Sequence, residues 1–350
     1  MAAGASRRGM MQVTYVYDIP QWALHNIGLM LQETLRPDGV ELTCVRNEAW
    51  HDEPSPTDVL YVSYSGLLRP GFPYRRYANT VITTVHDPCE VSLFENRADW
   101  MRLPFLPLPF GEVDRVSAIS AELEEVLAHA YGIRAYRTPT WPLDGAGLLA
   151  RAAPSRNNGA LRAFSSTNMS EYFPFRRLLH RFRAPGIYFR DQHGRFSLRQ
   201  LTAIAVLRRR KNLRLMRRLA ARFRDSSSVR CEFREARDGM LPRDQYEDRL
   251  LGSDVYVCTS RMEGGPLPVI EAVFAGQAIV STRVGQVEDW VRDGENGFLC
   301  ASEQEFVAAL ERYDRDRDLL LAHRRRSRER AVAAHFPRES WLRFFRGSPR

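Results

Sequence analysis

The sequence contains almost no lysine and few cysteines. Of its 51 basic residues only Lys211 is a lysine, and all the others are arginines. The five cysteines are Cys44, Cys89, Cys231, Cys258 and Cys300. Their odd number and scattered positions favour reduced core thiols in a cytoplasmic protein over disulfides or a zinc site.

Long apolar runs are also missing. The most apolar late stretch, residues 103–110, is broken by prolines and is too short to span a bilayer. Residues 1–11 lack the apolar centre of a secretory signal. The sequence therefore predicts a cytoplasmic protein with no membrane-spanning helix.

The sequence has 350 residues, which is enough for two domains of ordinary size. A hydrophobic content of 44% and a charged content of 27% are typical of globular proteins. The net charge of +9 suits nucleic acid, phosphorylated substrates or an anionic membrane surface equally well. Charge alone therefore does not select a partner.

Short β-rich runs alternate with helical stretches, which predicts α/β domains built on parallel sheets. The predicted strands of the first series are residues 12–17, 40–45, 59–64, 80–85 and 116–119, with helices at 22–35 and 121–131. The predicted strands of the second series are residues 161–165, 187–189, 201–206, 229–233, 255–258, 278–281 and 297–299. Either 161–165 or 201–206 is the first strand of the second domain.

Five segments follow from this pattern. The expected organisation is a loose tail at 1–9, an N-terminal Rossmann-like domain at 10–145, a linker at 146–159, a C-terminal Rossmann-like domain at 160–334, and a final helix at 335–350.

The segment 253–298 carries the most specific pattern. A buried strand leads into Glu263, Gly264 and Gly265, and a helix begins at Pro266 or Pro268. Ligands of open α/β sheets bind at this end of the strands, and the amides around residues 267–270 would suit a diphosphate. Glu263, together with Glu271 one turn inside the helix, would then face a polyhydroxylated ligand; the plainer alternative is an ordinary helix with an N-terminal glutamate.

Two glutamates with seven residues between them, in EGGPLPVIEA, resemble the donor-site motif of the retaining glycosyltransferase family 4, and the following AGQAIVSTRVGQVEDWVRDGENGF is similar as well. The resemblance implies the GT-B fold, with an acceptor domain and a nucleotide-sugar donor domain facing across a cleft, and a C-terminal helix that crosses back. It also implies that Glu271 holds the donor ribose, that Glu263 contacts hydroxyls of the transferred sugar, and that the backbone at Gly264, Gly265 and Leu267 meets the phosphates.

The family places an arginine and a lysine against the donor diphosphate after an early strand of the second domain. We assign Lys211 to this role, with Arg208 or alternatively Arg210 as its partner, because a compact ammonium at a phosphate is poorly replaced by arginine. The alternative is one more residue of a basic amphipathic helix. If the family pattern begins at residue 161, Arg176 or Arg177 competes for the arginine's role.

The first domain carries two further resemblances. His86, in TTVHDP, resembles the family's histidine that contacts the donor sugar. The opening YDIPQWALHNIGLML resembles an acceptor-facing loop and helix, which would place Gln21, Trp22 and Asn26 at the acceptor. The usual Asn-Gly-Val-Asp linker motif is lacking.

The resemblance implies a retaining enzyme that transfers a hexose-type sugar from a nucleotide diphosphate sugar to a hydroxyl acceptor, without metal or cofactor. A small molecule, a glycan or a lipid all remain open as acceptor, with weak peripheral membrane contact permitted by the basic surface and a soluble acceptor favoured. One rival is an inactive nucleotide-sugar-binding or scaffold protein of the same fold. The other is a nucleic-acid-binding protein, which is disfavoured because no reading motif accompanies the arginines.

Overall fold

A computed structural model describes residues 9–21, 23–69, 71–90, 110–152, 159–167, 210–235, 238 and 241–347. Within these residues the chain forms two parallel sheets, each covered by helices. Expected strands at 187–189 and 201–206, and the residues Trp22, Arg176, Arg177 and Arg208, lie outside the described residues.

The first sheet has six strands in the order β2-β1-β3-β4-β5-β6. They are β1 (Met11–Tyr17), β2 (Val40–Arg46), β3 (Thr57–Val62), β4 (Ala78–Val85), β5 (Arg115–Ala118) and β6 (Tyr136–Arg137). The helices of this half are α1 (Ala23–Leu35), α2 (Asn47–Asp52) and α3 (Ala121–Tyr131). All the pairings are parallel, as the alternating sequence predicts.

The second sheet has five strands in the order β11-β10-β9-β7-β8. They are β7 (Leu161–Ser166), β8 (Val229–Arg234), β9 (Val255–Cys258), β10 (Ala278–Ser281) and β11 (Gly297–Leu299). The helices from here on are α4 (Gly145–Arg151), α5 (Leu213–Arg222), α6 (Arg243–Leu251), α7 (Leu267–Phe274), α8 (Val287–Trp290), α9 (Glu303–Arg315), α10 (Arg317–Ala333) and α11 (Arg338–Arg346).

β7 lies inside the second sheet, between β8 and β9. Among the described strands it is therefore the first of the second domain, which favours the start at residue 161. Lys211 accordingly precedes α5, the helix that leads into β8.

Part of the expected linker is helical. α4 packs on α7, where Leu148 is buried in the same apolar cluster as Phe274. Gly145 allows this contact, because a Cβ at that position would lie 2.8 Å from the Phe274 ring. The sequence pattern missed this helix, since its seven residues lie in a stretch whose glycines and prolines indicate a loop.

The last helix crosses back to the first domain, as the resemblance implied. Trp341, Phe344 and Phe345 of α11 are buried against the first sheet, and all three rings lie within 6.3 Å of the Tyr61 ring. Arg346 donates to the Asp38 carbonyl at 2.7 Å. In the described part of the chain, no helix is long and apolar enough to cross a membrane.

Candidate active site

The carboxyl ends of the two sheets meet at a close backbone contact. His86 follows β4 of the first domain, and the turn with Gly264 follows β9 of the second. A Cβ on Gly264 would lie 1.8 Å from the His86 carbonyl oxygen. The neighbouring Gly265 is equally confined, since its Cβ would lie 2.6 Å from the Thr140 hydroxyl. The first domain therefore approaches both glycines closely. Their expected contact with the donor phosphates stays a prediction.

Lys211 and Arg210 are held at this junction by their backbones. The Thr259 hydroxyl donates to the Lys211 carbonyl at 3.1 Å, and the amide of Arg261 donates to the Arg210 carbonyl at 2.6 Å. Asn212 then takes a left-handed conformation with φ 48°, and α5 begins at the next residue. The two cations are therefore fixed beside the end of β9, where the sequence predicts Lys211.

Glu263 is buried and lies among these cations. Its Oε1 contacts the Lys211 ammonium and accepts from the Ser260 hydroxyl at 2.8 Å, and its Oε2 lies 3.3 Å from Arg210 Nη2. Burial alone raises the pKa of Glu263, but attraction to Lys211 and Arg210 outweighs burial and lowers it. The carboxylate is therefore ionised at neutral pH and holds both cations in place.

Asp87 joins this cluster from the first domain. Its Oδ2 lies 2.8 Å from Arg210 Nη1, so Arg210 bridges carboxylates of both domains. The sequence predicted His86 at this edge but not Asp87, although the residues directly after a strand end are placed at the same sheet edge. These two ion pairs indicate that Arg210 belongs to the site and is not merely one of the solvent-exposed arginines.

His86 is held by its ring and its backbone. Its Nε2 lies 2.8 Å from the Ser63 carbonyl, so this nitrogen carries the proton of a neutral ring and Nδ1 is left as an acceptor. Burial lowers the pKa of His86 to about 4. The amides of His86 and Asp87 both donate to Oε1 of the buried Glu90, at 2.6 and 2.8 Å. The ring is therefore neutral at physiological pH.

Glu271 lies in α7 and is 1% exposed. Its Oε1 is 2.7 Å from Arg243 Nη1, and Arg243 Nε donates to Glu247 at 2.5 Å. Burial raises the pKa of Glu271, and the Arg243 charge opposes that rise. The sequence pattern did not reveal Arg243. This residue is far from Glu271 along the chain, and the two side chains meet only because α6 begins beside the cavity that Glu271 lines.

A cavity of about 340 Å³ lies between the domains beside Glu271. It brings together residues expected at the donor, namely Lys211, Leu267 and Glu271, with Gln21 and Asn26 expected at the acceptor. Glu263 instead lines an adjacent small cavity of about 30 Å³ that Lys211 also borders. Among the described residues, no three His, Cys, Asp or Glu side chains are grouped to hold a metal ion.

The N-terminus of α7 offers fewer amides than expected. The amides of Val269 and Ile270 both donate to the Pro266 carbonyl, at 2.9 and 3.4 Å, and Pro268 has no N–H. The cationic side chains that line this cavity are Lys211, Arg234 and Arg243.

Gln21 has a strained backbone. It adopts φ 63°, its amide donates to His25 Nδ1 at 2.9 Å, and its carbonyl accepts from Asn26 at 3.2 Å. Such a conformation in a non-glycine residue is costly and is found preferentially at ligand sites. Gln21 and Asn26 of the expected acceptor segment are thus joined to each other at the cavity wall.

Solved structures resemble the fold of most of the chain, whereas a family model matches only one segment of it. Comparison with curated protein sequences finds no significant match. Similar solved structures include sucrose-phosphate synthase from Thermosynechococcus elongatus, at 13% identity and TM-score 0.57, where the match covers 95% of this chain and 97% of that one. HepE from Anabaena, in complex with UDP and glucose, matches at 13% identity and TM-score 0.51, covering 92% and 95%.

The pneumococcal O-GlcNAc transferase GtfA, in complex with UDP and GlcNAc, matches at 15% identity and TM-score 0.50 and covers 85% of this chain and 59% of that one. Such likeness establishes a fold at these identities, not an activity. The model of the family described as glycosyl transferases group 1 matches residues 239–332, which include both glutamates of the donor-site motif. The chain therefore has the two-domain GT-B fold, and its segment 239–332 is similar to the glycosyl transferases group 1.

Proposed function

We propose that this protein transfers a hexose-type sugar from a nucleotide diphosphate sugar to a hydroxyl acceptor, with retention of anomeric configuration and without a metal ion. The observation that carries the proposal is the meeting of Lys211 and Glu271 in one cavity with Gln21 and Asn26. The family match over residues 239–332 and the UDP complexes of HepE and GtfA support the same donor class.

Lys211 and Arg210 would neutralise the leaving diphosphate. Glu263 and Asp87 compensate their charge in this structure, so a diphosphate that binds there replaces carboxylate contacts with its own. Fixed cations of this kind stabilise the transition state without reorganisation, and removal of one preorganised donor typically costs about 3 kcal/mol. This cationic pair would do the work that a bound metal ion does at other phosphate sites.

Glu271 would accept hydrogen bonds from the donor ribose, which requires Arg243 to release one carboxylate oxygen. Glu263 would contact hydroxyls of the transferred sugar, and the neutral His86 would accept a hydrogen bond from that sugar through Nδ1. Gly264, Gly265 and Leu267 would lie along the diphosphate. With the leaving phosphate as base for the acceptor hydroxyl, attack on the face that the nucleotide leaves would retain the configuration.

The ion pairs of α5 disfavour one rival function, and turnover decides the other. A nucleic-acid surface needs available cations, whereas on α5 Arg217 lies 2.6 Å from Glu235, Arg218 2.6 Å from Glu303, and Arg222 3.1 Å from Glu311. An inactive nucleotide-sugar-binding protein would bind the donor without turnover.

The test is a panel of nucleotide sugars incubated with the protein and simple alcohol acceptors in the presence and absence of a chelator, with release of the nucleoside diphosphate as the readout. We expect one donor to be turned over, at equal rates with and without chelator, and NMR to show a product with the donor's anomeric configuration. Binding without turnover of any donor would favour the inactive rival, and loss of turnover with chelator would refute metal independence.

A further inference from the structure

A second, larger space adjoins the donor cavity. It is an open groove of about 980 Å³ between α1 of the first domain and the segment 241–247 of the second. The groove and the donor cavity share five residues: Gln21, Asn26, Leu143, Leu241 and Arg243. A molecule in the groove can therefore reach the donor cavity with one end.

Much of the groove wall is apolar. Six of its lining residues are Pro20, Leu29, Met30, Leu143, Leu241 and Pro242. Leu29 is 42% exposed. Among the described residues, Leu29 and Val332 are the two large hydrophobic side chains that are exposed. α1 buries Ile27, Leu31 and Leu35 on the sheet, so Leu29 lies on the face where a polar residue is expected. This leucine is therefore available to a ligand.

The charged side chains of the groove are largely engaged with one another. Arg243 contacts Glu271 and Glu247, and Glu247 also pairs with Arg151. Glu33 and Asp144 add two further carboxylates to the wall, and Asp144 lies 3.6 Å from Arg151. A groove whose arginine is already bound by two carboxylates is poorly suited to an anionic ligand, because that ligand would have to displace them.

We propose that the acceptor carries a neutral apolar body, alkyl or aryl, which lies along Leu29 and Leu241 while its hydroxyl end passes Gln21 and Asn26 into the donor cavity. This inference rests on the proposed glycosyl transfer and names the acceptor class of the same site. The groove volume lies at the upper end of what pockets for ligands of drug size provide, about 300–1,000 Å³, so it exceeds the need of a single sugar ring.

Matched alkyl glycosides test the proposal directly, because they vary the apolar body while the sugar hydroxyls stay the same. The dissociation constants of methyl and octyl β-glucoside, and of the corresponding galactosides and mannosides, are measured by calorimetry below the micelle concentration with UDP present. Each buried methylene strengthens binding roughly fourfold. We therefore expect every octyl glycoside to bind wild type at least about tenfold more tightly than its methyl counterpart.

The variants Leu29→Asp and Val332→Asp distinguish binding in the groove from non-specific hydrophobic binding to the protein surface. Both residues are exposed, so both substitutions are compatible with folding, and Val332 lies at the end of α10 outside the groove. We expect the octyl preference to disappear in Leu29→Asp and to persist in Val332→Asp. Equal affinities for methyl and octyl glycosides in wild type, or a preference that both variants keep or both lose, would overturn the proposal.

The same samples distinguish this proposal from the broader one. Nucleotide binding and hydrolysis of the nucleotide sugar are measured on wild type and Val332→Asp. Donor turnover without an octyl preference refutes the apolar acceptor alone. An octyl preference that depends on Leu29, in a protein that turns over no donor, refutes glycosyl transfer and with it the acceptor role of the groove.

Discussion

Asp87 of the first domain and Arg210 of the second are joined at 2.8 Å between Oδ2 and Nη1, and both side chains are largely buried. Arg210 also lies 3.3 Å from Glu263. One guanidinium thus connects the strand end that carries His86 with the turn that carries the donor-site motif. Any change in domain separation must alter this contact.

Asp87→Asn should destabilise the protein, because it leaves Arg210 with one carboxylate fewer at a buried position. Breaking one partner of a buried ion pair costs about 3–5 kcal/mol, and we expect the lower end since Glu263 remains. Urea denaturation measures the loss, and a double-mutant cycle with Arg210→Ala isolates the pair. Glu288→Gln is the matched control, since Glu288 lies 2.6 Å from Arg283 and both are exposed. Equal losses in the two variants would remove the special role of Asp87.

Gly264→Ala should force the domains apart at the cleft. The added methyl would meet the His86 carbonyl at 1.8 Å, and backbone at that position cannot yield as a side-chain end can. We expect about 1–3 kcal/mol of destabilisation and a fall in donor turnover. Gly111→Ala, where a Cβ would meet nothing within 4 Å, should leave both quantities unchanged. Undiminished donor turnover by Gly264→Ala would show that the proposed reaction does not need this contact.

The neutral His86 should make stability depend on pH. Its pKa in the folded protein is about 4, below the ordinary value of 6.5, so between these values the unfolded chain takes up a proton that the folded chain refuses. Its contribution is complete above pH 6.5 and is lost as the pH falls towards 4. It amounts to at most about 3 kcal/mol.

Denaturation midpoints of wild type and His86→Asn at about pH 7, 5.5 and 4 measure this contribution, and the variant should lose less stability over that range. Burial also lowers the pKa of His51 to about 4, so the pH dependence of the stability of His51→Gln is measured for comparison. Parallel profiles of wild type and His86→Asn would contradict a neutral, buried His86.

Glu271→Gln should weaken binding of the donor nucleotide through the ribose. A hydrogen bond to a charged group contributes about 1.5–3 kcal/mol, which corresponds to a loss of roughly ten- to a hundredfold in affinity. The specific signature is discrimination: wild type should bind a ribonucleoside diphosphate more tightly than its 2′- and 3′-deoxy forms, and the variant should not. Calorimetry measures each pair. Glu339→Gln, at an exposed site on α11, is the control. Undiminished discrimination in Glu271→Gln would place the ribose elsewhere.

Much of the fold follows from local pattern. Buried β-branched runs such as residues 80–85 and 255–258 are typical of parallel strands, and each was confirmed as a strand. The helix at 121–131 ends at Gly132, whose φ of 64° only glycine adopts readily. β6 was missed because a strand of two residues has no periodicity to detect.

The site could be predicted only in part. The two glutamates stand out in the sequence by their spacing, and Lys211 by its rarity. Lys211 contacts Glu263 and lines one cavity with Glu271, whereas Glu263 lines a smaller cavity beside it. Asp87 and Arg243 act through contacts between distant segments, which no local pattern encodes. Gly264 shows the limit most clearly, since its sequence context indicates a close approach but not that the first domain makes it.

The most direct test of the account is a thermal-shift panel of nucleoside diphosphates without metal, on wild type, Lys211→Ala and Arg218→Ala. A ligand at about a hundred times its dissociation constant adds about 2.7 kcal/mol to stability. We expect that one nucleotide stabilises wild type and Arg218→Ala alike and Lys211→Ala much less. Stabilisation of Lys211→Ala equal to that of wild type, or of none of the three proteins by any nucleotide, would contradict a diphosphate site at Lys211.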